Sequence, residues 1–202
     1  TGRHTLQTAS GRKIHGKQVV IAAGSRATRP DVPGINLPQV LTNDTVMRME
    51  HLPQRMVVLG GGVVAAEFAH VFSGLGVEVT QANRSARLLR GVDEEVVNRF
   101  AQAASQQWNL LLEHSLIEIR QNDDDSVTVV LENDGELVDV VADKVLVATG
   151  RRPNSDSLHA EKFFDVDARG LIGVDEYQRV LYNGAPVEGV FALGDISSPY
   201  QL

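Results

Sequence analysis

Cysteine is absent from the 202 residues of this sequence, and aromatic residues contribute only 5% of them. A chain without cysteine holds no disulfide, no thiolate nucleophile and no cysteine-ligated metal. The six histidines, at positions 4, 15, 51, 70, 114 and 159, do not follow the spacing of metal ligands. The sequence therefore points away from thiol chemistry and from a metal centre within this chain.

Positive charge is also scarce, because 19 Lys and Arg face 26 Asp and Glu, which gives a net charge of −7. We expect neither nucleic acid nor a membrane as a partner, since both favour a localised basic surface. No apolar run is long enough to span a bilayer, and we expect a cytoplasmic protein. Hydrophobic residues make up 43% of the chain, enough for one large or two small cores.

The segment from Arg55 to Glu67 is the most informative part of the chain. A short apolar run at 56–59, typical of a buried parallel strand, ends on three consecutive glycines, and an apolar helical pattern then continues to about residue 75. Glycines let a pyrophosphate approach the backbone, and the positive end of the helix dipole would face it. The pattern predicts a dinucleotide-binding turn made by Gly60, Gly61, Gly62, Val63, Val64 and Ala65.

A strand predicted at 77–81 follows this helix and completes a strand, turn, helix, strand unit of the expected length. An ordinary glycine loop, the alternative for the turn, would not require such a unit. NAD sites usually place Asp or Glu at the end of the second strand, where it accepts hydrogen bonds from the adenosine ribose. Here Ala82 and Asn83 take that place and Arg84 follows, so no carboxylate is offered, and Asn83 is a predicted cofactor-binding residue.

Three arginines, Arg84, Arg87 and Arg90, fall within residues 84–90, which we call the arginine loop. A guanidinium presents a planar fork of donors that matches a phosphate. The loop therefore favours the 2′-phosphate of NADP, and NADPH is the predicted ligand. The alternative is that the three arginines bind no phosphate and form a solvated surface cluster that balances the acidic residues at 93–95. This alternative applies best to Arg87.

The N-terminal part predicts a hairpin about residues 10–11 and an apolar strand at 19–23 that ends on Gly24. A connector with Pro and Gly at 30–34 leads into the nucleotide unit, where Asn43 or Asp44 can cap a short helix.

The chain beyond the arginine loop predicts one more helix and several strands. Asp93 can cap a helix that runs to about residue 107, and a short strand follows near 110–112. Alternating or apolar runs, separated by turn signals, then predict a three-stranded antiparallel meander at 116–120, 126–132 and 137–141. The Asp-rich turn at 122–125 lacks the regular ligands of a calcium loop.

Two apolar runs near the C-terminus predict buried strands. The run at 144–150 closes the nucleotide domain, and the run at 189–193 ends on Gly194 and Asp195. Ligands of open α/β sheets bind at the carboxyl ends of such strands. We expect the first neighbours of the second strand to lie outside this chain.

Taken in order, five segments resemble the flavoprotein disulfide reductases, the pyridine nucleotide-disulfide oxidoreductases that include glutathione reductase and dihydrolipoamide dehydrogenase. The segments are VIAAGSR at 20–26, GGGVVAAE at 60–67, the arginine loop, ATGRRPN at 148–154 and FALGD at 191–195. Within this family, the mycothione reductases of actinobacteria, which reduce the disulfide of mycothiol, are similar in four stretches. These are DTVMR at 44–48, AEFAHVFS at 66–73, VDEYQR at 174–179 and GVFALGDISSPY at 189–200.

The resemblance implies which residues hold the NADPH. Gly60, Gly62 and Ala65 match the residues that hold its pyrophosphate. The positions matching those on its 2′-phosphate are Arg84 and Arg90. The positions matching its nicotinamide half are Glu67, Gly150 and Arg151.

The resemblance also implies FAD as a second cofactor. Asp195 matches the residue that binds the FAD ribityl chain, and Gly24 ends the matching strand of the flavin domain. Two positions depart from glutathione reductases: Val63 replaces a Tyr that covers the flavin, and Ser85 replaces a His that often follows the first phosphate arginine.

The family also requires an N-terminal glycine-rich turn for FAD, a Cys-x-x-x-x-Cys disulfide, and a C-terminal dimer domain with a His–Glu pair. The 202 residues contain none of these, and they do not start with Met. We therefore expect an internal fragment of a longer, homodimeric enzyme, with no catalytic residue in the fragment itself. In the complete enzyme NADPH would reduce FAD, the flavin would reduce the disulfide, and the dithiol would reduce a small-molecule disulfide, for which mycothione is the expectation.

The expected fold is α/β, with a Rossmann-like NAD(P)-binding domain at 41–153. Strands of an incomplete FAD-binding domain would flank it at 1–40 and 154–202. One alternative is another enzyme of this architecture, such as a dihydrolipoamide dehydrogenase, soluble transhydrogenase or quinone reductase; the arginine loop argues against those that use NAD. The other is a non-catalytic NADPH-sensing module, which would not need the strands at 19–24 and 190–195.

Overall fold

Strands dominate the computed structural model, which describes residues 4 to 198. In chain order they are β1 Thr5–Gln7, β2 Lys13–His15, β3 Val19–Ile21, β4 Ser25–Ala27, β5 Val40–Thr42, β6 Arg55–Leu59, β7 Glu78–Asn83, β8 Asn109–Leu112, β9 Ser115–Gln121, β10 Val127–Asn133, β11 Glu136–Ala142, β12 Lys144–Val147, β13 Arg151–Pro153, β14 Arg179–Tyr182 and β15 Ala185–Ala192. The α-helices are α1 Asn43–Val46, α2 Val63–Gly74 and α3 Glu94–Ala104.

The chain divides into two units. The inner unit is Ala27–Gly150, and the outer unit joins the residues up to Arg26 to those from Arg151 onward. Among residues 4–198, no helix combines the length and the apolar character needed to cross a membrane.

A five-stranded parallel sheet in the order β5-β12-β6-β7-β8 forms the centre of the inner unit. Successive side chains of a strand point to opposite faces, so Met56 and Val58 of β6 enter one core, while Val57 and Leu59 enter another. All four side chains are buried. A strand covered on both faces must be apolar at every position, which explains the continuous run in the sequence.

Different layers cover the two faces of this sheet. On one face α2 packs through Ala65, Ala69 and Phe72. On the other lies the antiparallel meander β9-β10-β11, whose central strand buries Val127, Val129 and Leu131. The predicted parallel sheet, its helices and the meander are thus confirmed.

The helix starts follow local capping chemistry. The Asp93 side chain accepts from the amides of Glu95 (3.0 Å) and Val96 (3.4 Å) and caps α3, as predicted. The predicted cap of α1 at Asn43 or Asp44 was wrong, because Thr42 has the extended backbone of an N-cap and its amide donates to the Thr45 hydroxyl at 3.0 Å.

Several predicted elements end earlier in the structure. The helix expected to reach residue 107 stops at Ala104, whose carbonyl accepts from the amides of both Gln107 (2.9 Å) and Trp108 (3.0 Å). The strands expected at 144–150 and 19–23 end at Val147 and Ile21.

The outer unit contains the predicted N-terminal hairpin, β1-β2, and a three-stranded sheet in the order β14-β15-β3. The expectation that the first neighbours of β15 lie outside the chain was wrong, because β15 pairs antiparallel with β14 and parallel with β3. The neighbour that the sequence prediction missed is β14. It is joined to β15 by the two-residue turn Asn183-Gly184, whose residues have positive φ angles of 50° and 75°. Asp165 fixes this turn by accepting from both amides, at 2.9 and 2.8 Å.

An ion pair within the outer unit joins β4 to the turn after β13. Arg26 donates to both carboxylate oxygens of Asp156, at 2.8 and 2.6 Å. These hydrogen bonds are the main reason why the pKa of Asp156 falls from 3.8 to about 2. Because the folded-state pKa is the lower one, the pair stabilises the fold above pH 3.8 and loses this contribution as the pH falls towards 2.

We expect Arg26→Gln to raise the pKa of Asp156 towards its ordinary value and to weaken the dependence of the melting temperature on pH between about 2 and 4. Carboxyl-carbon NMR titration measures the pKa, and calorimetry measures the melting temperature. Arg12→Gln, at an exposed arginine of the same unit, is the control and should leave both unchanged. An Asp156 pKa that stays near 2 in Arg26→Gln would contradict this account.

Candidate nucleotide-binding site

The glycine turn, residues 60–62, connects β6 to α2. Gly60 has a φ of 135°, and a Cβ atom there would lie 2.3 Å from the Ala148 carbonyl oxygen. Only glycine fits such a position. Gly62 has an ordinary φ of −85°, and a Cβ atom on it would meet nothing within 4 Å. The turn is thus closed on the side of β12 and open above Gly62.

The first turn of α2 presents unused donors. Among the residues that the structure describes, none accepts from the amides of Val63, Val64 or Ala65. These amides lie at the positive end of a twelve-residue helix. Ala65 is fully buried, and its Cβ would be 3.4 Å from a Cβ on Gly60, so a small side chain is required there. The arrangement suits an anion that approaches over Gly62.

A buried amide supports the turn from beneath. Gln81 in β7 is completely buried, and its Nε2 donates to the Gly60 carbonyl at 3.0 Å. Trp108 Nε1 donates in turn to Gln81 Oε1, also at 3.0 Å. The prediction from sequence missed this support, because β7 reads EVTQAN and Gln81 does not stand out among its polar residues.

The arginine loop is attached to the glycine turn. The Leu89 amide donates to the Gly61 carbonyl at 2.6 Å. Asn83, at the end of β7, donates through Nδ2 to the carbonyls of Ser85 (2.9 Å) and Arg87 (3.0 Å). The loop therefore follows the carboxyl end of β7, where the second strand of a dinucleotide unit approaches the adenosine ribose.

An open pocket of about 630 Å³ lies against the arginine loop. Its lining consists of Ser85, Ala86, Arg87, Arg90, Gly91, Val92 and Asp93. The structure brings two of the three predicted arginines to this pocket, and Arg84 is not part of the lining.

The three arginines differ in their partners. The Arg90 guanidinium donates to the Ser85 hydroxyl, and Arg87 lies 3.8 Å from a carboxylate oxygen of Glu94. Arg84 is exposed and forms no hydrogen bond or ion pair within residues 4–198. All three guanidiniums have exposed surface for a phosphate, and Arg87 is partly neutralised by Glu94, as the surface-cluster alternative anticipates.

The predicted nicotinamide-side residues of the inner unit are Glu67 and Gly150. Glu67 is exposed on the second turn of α2. Gly150 has a φ of 137°, and its carbonyl accepts from the Thr28 amide at 2.9 Å. Their roles at a cofactor stay predictions.

In the outer unit, the predicted residues Arg151 and Asp195 come together around Ser25. The Ser25 hydroxyl donates to Asp195 Oδ2 at 2.6 Å and accepts from Arg151 Nε at 2.8 Å. Arg151 Nη2 also donates to the Ser25 carbonyl at 2.8 Å. Gly24, with a φ of 63°, precedes this cluster, and its carbonyl accepts from the Asn154 amide at 3.0 Å. Ser25 was not predicted as a site residue, although it belongs to the segment at 20–26 that carries the family resemblance.

Known proteins are similar to this chain in sequence and in fold. All 202 residues match the family described as pyridine nucleotide-disulphide oxidoreductase. Over its whole length the chain is 44% identical to a mycothione reductase of Mycobacterium tuberculosis (strain ATCC 25618 / H37Rv), and it covers 42% of that protein. It is 34% identical over 198 residues to a glutathione reductase of Burkholderia cepacia, where the match covers 96% of this chain and 41% of the relative.

The fold is similar to that of an HOCl-induced flavoprotein disulfide reductase from Escherichia coli, with a TM-score of 0.85 and 26% identity. That match covers 98% of this chain and 44% of the solved one. The chain thus spans less than half the length of these relatives. With the family model matched from end to end, the chain belongs to the pyridine nucleotide-disulphide oxidoreductase family.

Proposed function

We propose that this chain is the NADPH-binding portion of an FAD-dependent disulfide reductase whose substrate is a small-molecule disulfide, mycothione being the favoured one. The observation that carries the proposal is the glycine turn, which is open above Gly62 and joined to the arginine loop by the hydrogen bond from Leu89 to Gly61. A pyrophosphate over the turn would place the adenosine ribose towards the end of β7.

The end of β7 supports NADPH over NADH. Asn83 stands where an NAD site would offer a carboxylate, and its amide is bound to the loop carbonyls. Arg84 and Arg90 offer charge-assisted hydrogen bonds to a 2′-phosphate. Arg87 lines the pocket as well and offers a third guanidinium, partly neutralised by Glu94.

The outer unit supports a role in holding FAD. Asp195 stands at the carboxyl end of β15, where the hydroxyl of Ser25 orients its carboxylate. A carboxylate held in this way can accept hydrogen bonds from the hydroxyls of a ribityl chain. When bound, FAD supplies the step between the two-electron donor NADPH and a dithiol. The dithiol lies outside these residues, because the chain has no cysteine.

The proposed domain assignment is that of the sequence prediction, with NADPH bound by 41–153 and the flavin domain formed partly by 1–40 and 154–202. The first three and last four residues lie outside the described part of the chain. Mycothione is favoured as the substrate because the identity to a mycothione reductase is 44% over the full chain, against 34% to a glutathione reductase. We also propose a homodimeric, cytoplasmic complete enzyme.

Two glycine variants distinguish the glycine that the fold requires, Gly60, from the one that faces the proposed ligand, Gly62. We expect Gly60→Ala to lower the free energy of unfolding by more than about 2 kcal/mol, because its Cβ meets a backbone carbonyl and its φ is strained. Gly62→Ala should fold normally, since its Cβ meets open space, and should weaken NADPH and NADH alike. Chemical denaturation and calorimetric titration measure the two effects. Normal nucleotide affinity in Gly62→Ala would place the pyrophosphate elsewhere.

The double variant Arg84→Ala/Arg90→Ala tests the cofactor assignment. We expect a loss of about 2–4 kcal/mol in NADPH binding, from lost charge-assisted hydrogen bonds, with NADH nearly unchanged. Calorimetric titration with both nucleotides provides the measurement, and Arg99→Ala, at an exposed arginine of α3, is the control. Equal losses for both nucleotides would remove the 2′-phosphate assignment.

The complete enzyme tests the substrate. We expect NADPH oxidation to be fastest with mycothione and at least about tenfold slower, in kcat/KM, with oxidised glutathione or lipoamide. Steady-state assays with each disulfide provide the comparison. A preference for lipoamide together with NADH as its reductant would assign the parent to the dihydrolipoamide dehydrogenases instead.

A further inference from the structure

We propose that Asn83 is a positioning residue that sets the NADPH preference by fixing the arginine loop to the glycine turn. This inference rests on the proposed function, because the preference it explains is that of the same site. It also gives Asn83 a role beyond the one predicted from sequence, because the two N–H groups of its side chain act through the loop.

The hydrogen bonds of Asn83 leave no donor for a ligand. An asparagine amide has two N–H groups, and the structure directs Nδ2 to two acceptors, the carbonyls of Ser85 at 2.9 Å and Arg87 at 3.0 Å. The Asn83 backbone carbonyl accepts from the His114 amide at 3.1 Å. One side chain thus closes the first half of the arginine loop onto the end of β7.

The same amide lies directly on the glycine turn. A Cβ atom on Gly61 would be 2.6 Å from Cγ and Nδ2 of Asn83, so residue 61 must lack a side chain for the amide to occupy this place. The second half of the loop reaches the turn at the same residue, because the Leu89 amide donates to the Gly61 carbonyl at 2.6 Å. Asn83 and Gly61 are therefore the point where the turn and the loop meet.

The second half of the arginine loop has its own contact with the core. Leu89 has a φ of 47°, an unfavourable conformation for a branched side chain that persists only where the surroundings determine it. The preceding Leu88 is buried, with 1% of its surface exposed, and anchors the loop in the core. Loss of the Asn83 side-chain hydrogen bonds would loosen the segment between Asn83 and Leu88. This segment carries Arg84 and Arg87.

The position of the arginines relative to the turn decides which nucleotide binds better. A pyrophosphate seated on the turn fixes the distance to the 2′-position, and a guanidinium gains a bidentate contact only within a narrow range of that distance. NADH makes no such contact. A loosened loop should therefore weaken NADPH selectively.

Asn83→Leu is the test, with Asn109→Leu as the matched control. Asn109 lies in the adjacent strand β8, opposite Thr80, and its side chain makes a single long contact of 3.4 Å to the Thr80 hydroxyl. Calorimetric titration of each variant with NADPH and NADH gives the ratio of the two dissociation constants, and hydrogen exchange measures protection of the amides at 84–91.

We expect Asn83→Leu to weaken NADPH about tenfold, to leave NADH within about twofold and to increase amide exchange in the loop. Asn109→Leu should change neither the ratio nor the exchange. The proposal would be overturned if folded Asn83→Leu kept the wild-type ratio of the NADPH and NADH dissociation constants, whether or not both nucleotides bound more weakly.

Two further comparisons keep the test decisive. If Asn83→Leu does not fold, Asn83→Ser replaces it, because a serine keeps one donor but is too short to reach both carbonyls. The same rise in the dissociation constant of NADPH relative to that of NADH is expected. A wild-type protein without NADPH preference would overturn the proposed function. Wild-type preference retained in the Asn83 variants would overturn this inference alone.

Discussion

The close approach of β12 to the first glycine of the turn is the contact on which the rest of the inner unit depends. A backbone carbonyl of residue 148 occupies the space that a side chain at Gly60 would fill. This contact lies where β6 ends and the chain turns into α2, whose first-turn amides find no acceptor among residues 4–198. The buried Gln81 then fixes the carbonyl of the same glycine from the neighbouring strand. Two contacts thus fix the glycine turn between β6 and α2, one with a main-chain carbonyl and one with a buried side-chain amide.

The elements whose signals are local could be predicted from the sequence. The apolar run before Gly60, the cap at Asp93 and the alternating strands of the meander each depend on residues that are neighbours in the chain, and the structure confirms all three. The placement of Arg84, Arg87 and Arg90 in one loop was predictable for the same reason. Which of them line the pocket was not, because that depends on the loop backbone and on the contact with Glu94.

The elements that were missed depend on pairing between distant residues, with one exception. Gln81 is a polar residue of β7 whose partners come from residues 60 and 108, and no periodicity predicts such partners. Ser25 likewise acquires its role from Asp195, 170 positions away. The exception is the Asn183-Gly184 turn. Asn-Gly is a strong local signal of a hairpin, and it predicts that β14 pairs with β15.

Trp108 is the single tryptophan of the chain, and its indole N–H is joined to the Gly60 carbonyl through one buried glutamine. The chromophore therefore lies beneath the turn, on the side away from the open space above Gly62. Ring contacts with Phe100 and His70 hold it in an asymmetric surrounding. This chain consequently carries its own optical probe: fluorescence excited selectively at tryptophan follows the hydrogen-bonded support of the turn, with no label and no second tryptophan in the 202 residues.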